Sequence, residues 1–313
     1  MDPELQDDEP TRDDALQEVV TELRRLDPTG ERWAAVIRHT YDVIYNGQET
    51  GRYRWDQLMK TEKTHFGTLF EIFAQREFEF DGGDTTDFRI AGHQVDAKWS
   101  QSMGGWMLPP EVFDELALVA TGSDHDAVWS LGIIRVTEAV RKTSRNRDQK
   151  SSLSREGLAR VHWLWRDAPL PPNVLLQLDS EQVDRIFAHK FGTQRTHELF
   201  RAAEGRLVHR SIVATVSRQL DAQKRVRGNG GSRDILAKES ILILSGKYHR
   251  RIAIALGVPV PRPDEYISVR VVPSDDDTGA YLGGRYWRQA RDGDTAVLPA
   301  PPLHEPKDSP DER

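Results

Sequence analysis

The chain contains no cysteine, which excludes disulfides, thiolate zinc sites and thiol catalysis and fits a reducing cytoplasm. It also lacks any apolar run near the roughly 20 residues that cross a bilayer. Its opening, MDPELQDDEP, has neither the basic nor the apolar region of a signal peptide. These absences point to a cytoplasmic protein with no membrane partner. Ten histidines are present, but they are scattered without zinc-site spacing, and no serine, histidine and acid set stands out. No internal repeat is visible. The segment RVRGNGGSR, residues 225–233, has glycines but neither the preceding strand nor the lysine-serine/threonine ending of a phosphate-binding loop, so no nucleotide cofactor is expected.

Positive charge is short overall, the net being −7 over 313 residues. It is locally concentrated: residues 1–31 hold eleven acids against three bases, whereas 201–251 hold twelve bases against four acids. Screening confines surface charge to roughly 10 Å, so a basic face can hold phosphate despite an acidic total. The acidic residues 1–10 are expected to be disordered.

The stretch DTTDFRIAGHQVDAKWS, residues 84–100, reads as a β-hairpin. Alternation from Gln94 to Ser100 puts Asp96, Lys98 and Ser100 on one side, expected to be an exposed site, and Val95, Ala97 and Trp99 on the core side. A two-residue turn at Ala91-Gly92 sets Asp87 opposite Asp96, with Cβ atoms roughly 5 Å apart. Two carboxylates that close ionise together only with a cation between them, and their hard oxygens favour magnesium over zinc.

Before the hairpin, helices are expected from Asp13 or Asp14 through Leu23, from Trp33 to Ile44, and over most of 57–80. The last carries an apolar stripe at Phe66, Leu69, Phe70 and Phe73, with Glu71 off it beside Gly67 and Ala74. A glutamate there is ordinarily solvated. After the hairpin come a turn, a short helix, an apolar segment ending at Gly122 and a buried strand over 127–136, which predict a mixed central sheet flanked by helices, an α/β (α+β) fold. The prolines at 169–172 mark a boundary. The expected organisation is a disordered segment 1–10, a first domain 11–166, a linker 167–172, a second domain 173–291 and a mobile tail 292–313. Helices over 181–190, 194–204 and 207–223 suggest a mostly helical second domain of helix-turn-helix or winged-helix type. In the last of these, Ile212, Val216 and Leu220 form the buried line and Arg210, Ser211, Ser217 and Arg218 face outward.

Asp87, eight residues and then Asp96-Ala97-Lys98 resembles the PD-(D/E)XK nuclease signature, with threonine in place of its proline. The wider stretch YNGQETGRYRWDQLMKTEKTHFGTLFEI ahead of TTDFRIAGHQVDAKWS closely resembles the NaeI family of type II restriction endonucleases. The resemblance implies a restriction-endonuclease-like core, a second DNA-binding domain, and a homodimer that cuts double-stranded DNA bluntly at a GCCGGC-like palindrome. It also implies a second duplex bound as activator, and one or two Mg2+ per site held by Asp87 and Asp96 with Glu71. Lys98 would be the catalytic lysine; Glu77 and Glu79 are the fallbacks for Glu71.

Basic residues expected to meet DNA are Lys60, Lys63, Arg141, Lys142, Arg145, Arg147, Lys150, Arg210, Arg218, Arg225, Arg227, Arg233, Lys247, Arg250 and Arg251. On the residues alone, a repair or recombination nuclease of the same fold and a noncatalytic DNA-binding regulator remain as alternatives. The intact Asp87, Asp96 and Lys98 set speaks against the regulator.

Overall fold

The computed structural model describes residues 13–303 apart from 145, 229, 277 and 295–297. The segment expected to be disordered, 1–10, therefore lies outside the described residues, as does Arg145. Contacts divide the chain into two compact units, one running through Ile44 and including Met59–Pro171, the other made of Tyr45–Leu58 and everything from Pro172. No described helix is long and apolar enough to cross a membrane.

Helices α1 (Asp14–Leu26), α2 (Glu31–Tyr45), α3 (Gly47–Thr50) and α4 (Lys60–Phe78) come first. Asp13 caps α1 by accepting from Leu16 N at 3.0 Å. The buried carboxylate of Asp27 takes the amides of Gly30, Arg32 and Trp33, which the start of α2 would otherwise leave orphaned. Helix α4 buries Phe66, Phe70, Ala74 and Phe78, one line at a spacing of four.

In the first unit, β1 (Asp81–Gly82), β2 (Phe88–Ile90), β3 (His93–Ser100), β4 (Leu116–Ser123), β5 (Val128–Arg135) and β6 (His162–Pro169) form a sheet in that order. The β3–β4 pair is parallel and the others antiparallel, so the sheet is mixed. Ala91 and Gly92 both have left-handed φ, 50° and 83°, as a two-residue hairpin turn of type I′ requires. The register follows, with Ile90 opposite His93 and Phe88 opposite Val95.

Both sheet faces are covered. On one, Trp99 stacks on Phe66 at 4.4 Å and lies near Phe70 and Tyr41. On the other, Ala117 and Val119, neighbours of Asp96 and Lys98, join a cluster with Trp106, Leu108, Val112, Leu153 and Val161. The expectation of an exposed ionic side is corrected: Asp96 is buried, although Lys98 on the same side stays partly exposed. Helix α5 (Arg155–Ala159) precedes β6. Strand β6 continues to Pro169, past the cut expected at 166, since an edge strand tolerates proline.

The second unit holds α6 (Ser180–Ala188), β7 (Leu207–His209), β8 (Ile241–Ser245), β9 (Glu265–Pro273), β10 (Ala280–Leu282) and β11 (Arg285–Gln289), with α7 (Gly192–Ala202), α8 (Arg210–Ser217), α9 (Ser232–Ala237) and α10 (Arg250–Leu256). Its strands run β10-β11-β9-β7, with β8 also paired to β9, so the unit is mixed rather than mostly helical. Ile241 and Ile243 of β8 pack with α6, α7 and α8, while Leu242 and Leu244 serve a second cluster, the period of two a strand imposes.

The single helix expected over 207–223 is corrected: β7 pairs with β9, α8 follows, and Arg218 at φ 52° ends it. Leu220 consequently leaves the buried line and is 96% exposed, while Ser217, expected outward, is buried. Of the tail expected to be mobile, 292–313, residues 295–297 and 304–313 lie outside the described residues, while Ala300 is buried and donates its amide to Ala237 O at 2.7 Å.

Candidate active site

Pairing between β2 and β3 stops at Phe88–Val95, while β3 continues beside β4 to Ser100. Asp87 stands where β2 has run out. Its Oδ2 accepts the Ala97 amide at 2.7 Å, so the carboxylate satisfies a strand N–H that no neighbouring strand reaches there. That bond fixes Asp87 against the opening of the sheet edge.

Asp96 comes from β3 itself, and Lys98, two residues on, shares its side. The Lys98 ammonium lies against Asp96 Oδ2 as an ion pair, sits 3.7 Å from Asp87 Oδ2, and donates to Ala97 O at 3.1 Å. Asp96 Oδ2 is buried and makes no hydrogen bond of good geometry. Burial is the main cause that pushes the Asp96 carboxyl up to about 6; Lys98 opposes the shift and Asp87 adds to it.

Glu71 of α4 joins this group. Its carboxyl is pushed up to about 7, first by burial and then by the charge of Asp87 and a hydrogen bond with it, with Asp96 adding and Lys98 opposing. Glu77 instead pairs with Arg32 at 2.7 Å, and Glu79 is an exposed left-handed residue ending α4. His93, at the start of β3, holds Glu18 of α1 at 2.8 Å.

Burial first, and then the negative charge of neighbouring carboxylates that the single Lys98 ammonium only partly offsets, make Glu71 and Asp96 resist ionisation. Their all-oxygen donors and the buried Asp96 Oδ2 suit a hard divalent cation in chemistry and charge. Among the described residues, no three carboxylate or imidazole groups converge on a common point.

The residues expected to meet DNA fall into several settings. Lys60, Lys142, Arg147, Arg210, Lys247, Arg250 and Arg251 are exposed, and Lys63, Lys150 and Arg227 are half-buried. Arg141 lies 3.6 Å over the Phe113 ring and donates to Thr137 O, tying down the base of its loop. Arg218 donates to Glu49 O, and Arg225 pairs with Asp221. Arg233 is buried in α9 and donates to Ile243 O at 2.8 Å. The sequence reading missed the job of Trp99 as the plate joining β3 to α4, although the run Phe66, Phe70 and Phe73 signalled an aromatic partner for it.

A family model described as restriction endonuclease NaeI matches residues 17–298. The chain is also 46% identical over 296 residues to a type II restriction enzyme NaeI of Lentzea aerocolonigenes, covering 91% of this chain and 93% of that protein. The match spans both units, and the chain belongs to the NaeI family of type II restriction endonucleases.

Proposed function

We propose that Glu71, Asp87, Asp96 and Lys98 form the centre that hydrolyses DNA phosphodiesters, with Asp87 and Asp96 holding Mg2+ and Glu71 supporting it. The observation that carries this reading is the Lys98 ammonium set between Asp96 and Asp87 at the open edge of β3. A bound magnesium ion would offset phosphate charge and lower the pKa of water. Asp87, braced by the Ala97 amide, keeps its carboxylate from swinging toward solvent. Lys98 supplies a fixed positive charge and a donor beside the attacked phosphate, orienting the water and stabilising charge as it grows. The products would be a 5′-phosphate and a 3′-hydroxyl.

Family membership supports the wider reading: a cytoplasmic homodimer of the IIE subtype placing one centre on each strand of a GCCGGC-like palindrome. A second duplex would act as activator on the C-terminal unit, used in the manner of a winged helix. The exposed Lys60, Lys142, Arg147, Arg250 and Arg251 would meet phosphates or base edges. The test is to map cut ends on a sequenced plasmid with magnesium and with chelator. Blunt ends at one palindrome, with magnesium only and faster when a short duplex of that site is added, are expected. Random nicking, or cutting in chelator, would overturn the reading.

A further inference from the structure

The second unit carries a basic cavity that the cutting centre does not use. Register puts the ends of β7 and β8 together with the start of β9, since His209 faces Glu265 and Ser245 faces Tyr266. Two strands therefore leave the sheet and one enters it at the same end, where α8 begins. The cavity there has a volume of about 150 Å³, and its lining includes Arg210, Arg227, Arg233 and Lys247 together with the rings of Tyr248 and Tyr266. One water needs only roughly 10–15 Å³ of such space, so there is room for a phosphate group and the first atoms it is joined to.

Charge selects the occupant. Three guanidiniums and an ammonium share one recess with a single carboxylate, Asp264, and that carboxylate already meets His209 Nε2 at 2.8 Å. A recess lined mainly by cations attracts an anion. We propose that this cavity binds a phosphomonoester dianion. A monoester carries roughly two negative charges near pH 7 and three free oxygens, which suit several guanidinium forks at once. An internal phosphate of a duplex carries one charge and lies on a continuous ridge, whereas a chain end or a free nucleotide can enter a recess. The proposal rests on the nuclease reading only in that the cutting reaction would generate one source of such ends.

The test uses the full chain in chelator, so that nothing is cut, and a blunt DNA hairpin lacking the cleavage site and labelled in its loop. Its 5′ end is either phosphorylated or a plain hydroxyl. Fluorescence anisotropy should give at least tenfold tighter binding of the phosphorylated hairpin, a ratio that falls to near one in the double variant R227Q/K247Q. Thermal unfolding checks that the variant is folded; should it not be, the exposed substitution Lys247→Ala alone must lower the ratio at least threefold. Competition by deoxyadenosine monophosphate would show that a free nucleotide is accepted, and its failure, with the ratio retained, would assign the cavity to DNA ends. Equal binding of the two hairpins, with no competition by the nucleotide or by inorganic phosphate, would overturn the proposal while leaving the cutting centre to its own test.

Discussion

Two carboxylates, Asp87 and Asp96, share the Lys98 ammonium at the edge of β3, and its charge offsets their mutual repulsion. Lys98→Met keeps most of the stem but removes the charge. Single-turnover cleavage should slow by about two orders of magnitude or more, with the unfolding transition little changed. A loss under tenfold would make Lys98 a mere counter-ion. The same cluster fixes a pH dependence. The Glu71 and Asp96 carboxyls are raised in the folded protein, to about 7 and about 6, so the native state binds more protons than the unfolded chain between the ordinary carboxyl range and neutrality. Their contribution to stability is present below the unfolded values and lost as pH rises through 6 to 7. The melting temperature of metal-free protein should therefore fall over that window, less steeply in Glu71→Gln, and added magnesium should recover it at pH 7.5. A flat profile would contradict the crowding of charge.

At the scale of elements, the hairpin was legible because Ala91-Gly92 specifies its turn, and the turn then fixes which residues face each other. Helix α4 was legible from its apolar spacing. The burial of Asp96 was not, since Glu71, which acts on the same cluster, comes from a helix distant in sequence whose approach no local pattern announces. Nor was the break at Arg218: β7 forms only because β9 lies beside it, and Leu220 looked like a core position only while the helix was imagined to continue. Phe70 is fully buried next to Glu71 and packs toward Trp99 and Trp33. Phe70→Ala should cost about 3–5 kcal/mol in denaturant unfolding and lower the cleavage rate of the folded fraction, because α4 positions Glu71. Destabilisation with a full rate would show that α4 supports the fold alone.

For the whole molecule, the prolines near 170 marked a boundary, but they could not disclose that Tyr45–Leu58 belongs to the second unit. There α3 meets α8, Arg218 holds Glu49 O, and Tyr53 stacks on Phe187. A fragment beginning near Asn173 lacks those partners. The acidic total likewise concealed a basic cavity, because net charge averages over faces that screening keeps independent. The central claim, that the carboxylates around Lys98 perform the cutting, is tested most directly by Asp96→Ala. Single-turnover cleavage of a duplex carrying the mapped site should fall by about three orders of magnitude or more while duplex affinity stays within about threefold, because a cation ligand acts on the transition state more than on phosphate contacts. Cleavage at the parental rate by the purified variant would contradict the account.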